Sequence, residues 1–232
     1  ALARGYGYRE HYRAALNLAV TVDGVTHYLH EHFTGLYADL HSKGVFRYRW
    51  SHGALELSAT FWCVGEHALA CRVEVRSEAS SAADVRLTAY CSYTRHIGAA
   101  GVWGESGLVS RLEGDDMVVQ GFEDGAAFAL AADRPFAAHG AAAELGSDFL
   151  VAPSMPGDHV VVTGSKGESV TLHGAVAYDV HPAGDGRWSI DLVLARGIRR
   201  DLAVTERVSA AERSQAALEV AQAEDERFWA GA

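Results

Sequence analysis

The chain has 232 residues, 49% of them hydrophobic and 22% charged, a balance that supplies one large buried core and argues against a disordered chain. A formal net charge of -10, with no Lys/Arg run to offset it, argues against a nucleic-acid partner. No stretch nears the roughly 20 apolar residues that span a bilayer, and the opening Ala1-Leu2-Ala3-Arg4-Gly5-Tyr6-Gly7 lacks the apolar core of a signal peptide, so no membrane partner is expected.

In chain order, period-two alternation recurs, the mark of strands with one packed face. Leu16, Leu18, Val20 and Val22 open it, and Asp23-Gly24 then supplies a dipeptide that tolerates positive φ at both turn positions. Residues 25–30 read as the returning strand of a hairpin. Residues 46–50 and 55–61 alternate in the same way. Leu69, Cys71, Val73 and Val75, then Val85, Leu87, Ala89, Cys91 and Tyr93, flank a Ser/Ala-rich turn at 77–84 and predict a long central hairpin. Later strands are expected at 117–122, 126–131, 159–163, 169–173, 175–180 and 188–195, between Gly-rich turns. About a dozen strands suit an all-β fold, a large two-sheet antiparallel β-sandwich, with two small domains as the alternative.

Ser209 and Glu212 form a capping box that predicts a helix from about Ala210. Ala210, Ala217, Ala221 and Phe228 give it a narrow apolar stripe, and residues 201–232 carry seven acidic and three basic groups on the remainder. The expected organisation is a sandwich over 1–208 and a helical linker over 209–232, directed toward a helical domain or folded back on the sandwich. The sequence opens on Ala1, consistent with a trimmed start.

Cys63, Cys71 and Cys91 are odd in number, lie in apparent strands and form no CxxC pair. That argues against a disulfide framework and a zinc site, and it suits a cytoplasmic protein with buried thiols; a secreted protein with one bridge is the alternative. His27, His30 and His32 lie close together, with His30 and His32 on one face of an extended strand. His-rich turns are commonly exposed or bonded to backbone, so neither a metal nor any other cofactor is expected.

The segment Tyr93-Thr94-Arg95-His96, with the Gly-rich connection to Gly107, places Arg95, His96, Trp103 and Glu105 after an apolar strand. Loops on a rigid sheet often carry binding groups. Trp103 offers a flat apolar face to a sugar ring, and Arg95, His96 and Glu105 offer hydrogen bonds to its hydroxyls. Trp103 is equally suited to plugging the end of the sandwich. In Arg47-Tyr48-Arg49-Trp50, alternation predicts Tyr48 and Trp50 in the core and the arginines outside. No convincing pair of carboxylates for glycoside hydrolysis is evident, since Asp115-Asp116 and Glu123-Asp124 fall in turns. There is no GxSxG, P-loop or GxGxxG motif.

His32-Phe33-Thr34-Gly35-Leu36-Tyr37-Ala38-Asp39-Leu40, the strand at 46–50 and the ending Glu224-Asp225-Glu226-Arg227-Phe228-Trp229 together resemble a known family. They are similar to the N-terminal supersandwich domain that precedes an (α/α)6 barrel in trehalase-like, glucoamylase-like and mannosylglycerate-hydrolase-like glycoside hydrolases. The resemblance implies that a C-terminal helical domain supplies both catalytic carboxylates, that this chain scaffolds the cleft without catalytic residues of its own, and that carbohydrate is its ligand through the parent enzyme. Two other readings stay open. A stand-alone carbohydrate-binding module would show Trp103, Trp62 or Trp188 flat on the surface, and a mutarotase-like epimerase would use His96, His173 or His181 as acid beside a carboxylate base.

Overall fold

The computed structural model describes residues 15–28, 37–77, 84–97, 106–122, 125–155, 157–165 and 167–230. The described chain runs β1 (Leu16–Val22), β2 (Val25–Tyr28), β3 (Tyr37–His41), β4 (Val45–His52), β5 (Leu55–Val64), β6 (Ala68–Ser77), β7 (Val85–His96), β8 (Ser106–Glu113), β9 (Asp116–Gly121), β10 (Ala127–Ala132) and β11 (Ala138–Ala142). A short helix α1 (Ser147–Val151), β12 (His159–Gly164), β13 (Ser169–Asp179), β14 (Arg187–Gly197) and a long helix α2 (Arg200–Ala230) complete it.

All pairings are antiparallel, in a five-stranded sheet ordered β11-β13-β7-β1-β2 and a nine-stranded sheet ordered β12-β8-β9-β10-β14-β6-β5-β4-β3. Alternation explains the layers. Leu16, Leu18 and Val20 of the small sheet and Leu57, Val73, Leu130, Ile190 and Leu192 of the large one belong to one buried core between the sheets. The β-sandwich is therefore as expected, and its first hairpin turns at Asp23 (φ 49°) and Gly24 (φ 81°) as the dipeptide predicts.

Four expectations differ from the structure. β6 and β7 form no hairpin: β6 pairs with β5 and β14 while β7 pairs with β1 and β13, so the connection crosses from one sheet to the other. Alternation looks the same whichever strand is the partner. The two strands expected at 169–173 and 175–180 are one continuous β13, because Gly174 is not a break. A β-carbon at Gly174 would lie 2.6 Å from a methyl of Val119 and 2.9 Å from Met117, so glycine admits the opposite sheet's side chains. Tyr48 is 39% exposed while Trp50 is buried, since β4 lies one strand from the sheet edge and its inner face is not covered throughout.

The fourth difference concerns α2, which begins at Arg200, ahead of the capping box. Tertiary contacts decide its start. Gly197 admits the first turn, where a β-carbon would sit 2.3 Å from the Ala203 nitrogen, and Arg200 pairs with Glu113 at 2.8 Å. The helix lies on the outer face of the large sheet through Ala203, Ala210, Ser214 and Leu218, with Ala217 and Ala221 alongside. Trp62 is buried beneath it and donates its Nε1–H to the Ser214 carbonyl at 2.8 Å. Among the described residues no helix is long and apolar enough to cross a membrane.

Candidate functional site

The hairpin of β8 and β9, with β12 beside it, ends the large sheet, and register fixes what its outer face presents. Leu108, Met117 and Val119 join the core between the sheets, so the alternate residues Val109, Arg111 and Gln120 face away from it. Arg111 stands opposite His159 on β12 and opposite Val118 on β9, while Val109 stands between Val161 and Gln120. Arg111 and Gln120 are thus diagonal neighbours, a relationship that brings side chains within about 7–8 Å. With Leu112, Phe122 and Asp158 these residues line an open pocket of about 650 Å³.

Two polar atoms there are unusual. Gln120 is 5% exposed. Its Oε1 and the Nε of Arg111 are buried with no hydrogen-bond partner among the described residues. Leaving such an atom unpaired costs about 1–3 kcal/mol, so two in one place point to a site whose partners come from outside the chain. The hairpin that carries them is tied to α2 by Asp116, which is buried and holds Arg207 through two bonds of 2.6 and 2.5 Å, and by the Glu113–Arg200 pair. The pocket floor is therefore fixed to the helix. A donor, an acceptor, the apolar ring of Phe122 and the polar rim of Asp158 and His159 suit a small, hydroxyl-rich ligand. Among the described residues no group of three or more His, Cys, Asp and Glu side chains is placed to hold a metal ion.

Of the predicted site residues, Arg95 and His96 lie on β7, outside the lining of this pocket. Arg95 and His96 are consecutive on β7 and so point to opposite faces. Arg95 continues the inward series of Cys91 and Tyr93, and its Nη1 takes the space that a β-carbon at Gly121 would enter. Burial pushes the neighbouring Tyr93 phenol up, and the positive charges of Arg95 and Arg196 offset part of that rise. His96 is exposed and its Nδ1 lies 3.3 Å from the Ser169 hydroxyl. Trp103 and Glu105 lie outside the described residues, as do His30 and His32. Arg95 therefore underlies the strand that carries Gln120 and Phe122, on the other side of the sheet.

Of the tryptophans named for a surface platform, Trp103 lies outside the described residues and the other two are buried. Trp62 is buried under α2, and Trp188 is buried with the Arg134 guanidinium over its ring at 5.0 Å. Of the histidines considered as acids, His173 is 3% exposed and bonds Ser92 at 2.7 Å, whereas His181 is exposed. Asp116 is no turn carboxylate but the start of β9. Arg111 escapes sequence reasoning because the Gly-rich run before it hides the start of β8, and Gln120, within the strand expected at 117–122, escapes it because nothing local marks that side chain as buried. The alternation of Leu108, Ser110 and Leu112 with Val109 and Arg111 is the available signal.

Beside the β3–β4 edge, Arg47 and Arg49 both hold Asp39, at 2.8 and 2.5 Å. The hydrogen bond from Arg47 holds the Asp39 carboxyl below the usual carboxylate range, with Arg49 adding to it against the opposing effect of desolvation. These charges satisfy one another, as a solvated sheet face requires.

No protein-family model matches the chain, and no curated protein matches its sequence. Its fold does match solved structures. A bacterial glucoamylase complexed with acarbose aligns with a TM-score of 0.61 at 12% identity, over 92% of this chain and 31% of that one. A human-microbiome protein named as a kojibiose phosphorylase aligns with a TM-score of 0.54 at 11% identity, over 91% of this chain and 27% of that one. The chain has the β-sandwich fold of the N-terminal domains of such proteins. It spans less than a third of the length of either structure.

Proposed function

We propose that this chain is the non-catalytic N-terminal β-sandwich module of a glycoside hydrolase, scaffolding and bordering the cleft of a helical catalytic domain of the (α/α)6-barrel type. The observation that carries this reading is the far end of α2. The helix packs on the sheet through small residues, yet Val220, Phe228 and Trp229 stand 58%, 60% and 65% exposed. Val220 is also part of a groove of about 580 Å³ between α2 and the strands β4, β5 and β6, lined with it by Phe46, Phe61, Leu69 and Ala217. Exposed aromatics and an apolar groove on one helix mark an interaction surface. In this reading residues 209–232 lead toward the helical domain, and Arg95, His96, Trp103 and Glu105 belong to the sandwich end that borders the cleft. The carbohydrate class is supported by fold likeness to a glucoamylase and a kojibiose phosphorylase, both far longer than this chain.

The test is to read the gene beyond the codon for Ala232 and to express the polypeptide encoded downstream separately, beside this chain. A helical partner that co-purifies with the wild-type chain, and at least about tenfold less with Phe228→Ser/Trp229→Ser, is the expected result. The chain alone is expected to release no sugar from starch or disaccharides. Hydrolysis by the isolated chain, or a reading frame without a helical domain, would overturn the reading.

A further inference from the structure

We propose that the pocket on β8, β9 and β12 is a binding subsite for an uncharged saccharide unit, held by Arg111 and Gln120 against Phe122. The inference rests on the carbohydrate reading above but places binding in this chain and not in a partner domain. The unpaired atoms select the ligand class. The Arg111 Nε is a donor that needs an acceptor, and the Gln120 Oε1 is an acceptor that needs a donor. Hydroxyls do both. An ionised carboxylate only accepts and would leave Gln120 unsatisfied, and a carboxylate or a phosphate alike would bring its negative charge against the Asp158 carboxylate in the same pocket. A cation would meet the Arg111 guanidinium, and an apolar molecule would leave both atoms unpaired.

The remaining lining fits the same ligand. Phe122 and Val161 present apolar surface for the C–H face of a pyranose, and about 650 Å³ falls within the roughly 300–1,000 Å³ of small-ligand sites. The two unpaired atoms belong to side chains that line the pocket. Rotation about the last side-chain torsions, which is broad for Gln, turns them toward a hydroxyl. The Asp116–Arg207 and Glu113–Arg200 pairs meanwhile hold the strands in place.

The experiment is a 15N–1H NMR titration of the full 232-residue chain with the methyl glycosides of glucose, mannose and galactose, and separately with glucuronate and inorganic phosphate. Shifts confined to β8, β9 and β12 are expected for at least one neutral glycoside, in the millimolar range, with binding weakened about tenfold or more by Gln120→Leu and by Arg111→Met. Val161→Lys, at a wall residue that is 47% exposed, keeps the test valid if a buried substitution unfolds the chain, and is expected to abolish the shifts. No shift in these strands with any neutral glycoside at about 50 mM, the same affinity in Val161→Lys, or tighter binding of phosphate or glucuronate would each overturn the subsite. A failed titration leaves co-purification with the helical partner unaffected, and a failed co-purification leaves the titration standing.

Discussion

The Nη1 of Arg95 on β7 lies 2.8 Å from the position a β-carbon would take at Gly121 on β9, so the two sheets meet at this end through a guanidinium lodged over a glycine. The contact joins the segment whose sequence suggests a binding loop to the strand that lines the pocket. Gly121→Ala is expected to displace the flexible end of Arg95 and to cost about 1–2 kcal/mol, as modest overpacking does. Gly140→Ala should cost more, because its β-carbon would meet the Ser154 backbone nitrogen at 2.2 Å, which cannot rotate away. Urea unfolding of both variants and of Gly121→Ala/Arg95→Ala checks this; the double variant should recover part of the Gly121→Ala loss.

Asp116 and Arg207 form the most buried ion pair among the described residues, with side chains 3% and 17% exposed. Arg207→Met is expected to lower the unfolding free energy by about 3 kcal/mol, because it leaves the carboxylate buried without its partner. Asp116→Asn/Arg207→Met should lose less than Arg207→Met alone. Equal losses in the two would show that the pair is not coupled.

His27 sets a pH dependence. Its ring lies 4.8 Å from that of His52 and 5.3 Å from that of Trp50, and its Nε2 is buried without a partner among the described residues. Burial first, and His52 second, hold the imidazole below its ordinary value of 6.5. In the window between 6.5 and the lowered folded value the unfolded chain binds the proton and the folded chain does not, so stability falls as pH drops through it. Melting curves from pH 7.5 to about 5 should show a decline that is smaller in His27→Gln. An unchanged decline would assign it to other groups.

The three cysteines are free and differ in reach: Cys63 is exposed, whereas Cys71 and Cys91 are buried. Burial pushes the Cys91 thiol up to about 12 and raises that of Cys71 well above its ordinary range, so neither forms the reactive thiolate. Ellman's reagent at pH 8 is expected to label one thiol per native chain and three in denaturant. Two fast thiols in the native chain would contradict the packing of β6 or β7.

Much of the fold is legible because a strand with one face in the apolar core between the sheets alternates in sequence, even where its other face is covered as well. Leu16 to Val22, Leu55 to Phe61 and Val85 to Tyr93 show it, and Asp23-Gly24 names its own turn. Pairing is not legible. β6 and β7 look like a hairpin because nothing in an alternating run specifies its partner across about 4.8 Å of hydrogen bonds or about 10 Å of side chains. Gly174 looks like a break because its reason, the close approach of Val119 and Met117, comes from the other sheet. The helix start is hidden for a similar reason: Ser209 and Glu212 form a local capping signal, but the Gly197 approach and the Arg200 and Arg207 ion pairs outweigh it.

The candidate site divides along the same line. Residue type and local period determined by themselves that this is an antiparallel sandwich with a C-terminal helix, and that Arg95 and His96 end an apolar strand. Only the tertiary structure decided that Arg111 and Gln120 are diagonal neighbours, each with one buried atom that lacks a partner among the described residues, and that Phe228 and Trp229 remain exposed. Burial and pairing are properties of neighbours distant in the chain, and a pattern with a period of two or about 3.6 residues carries no record of them.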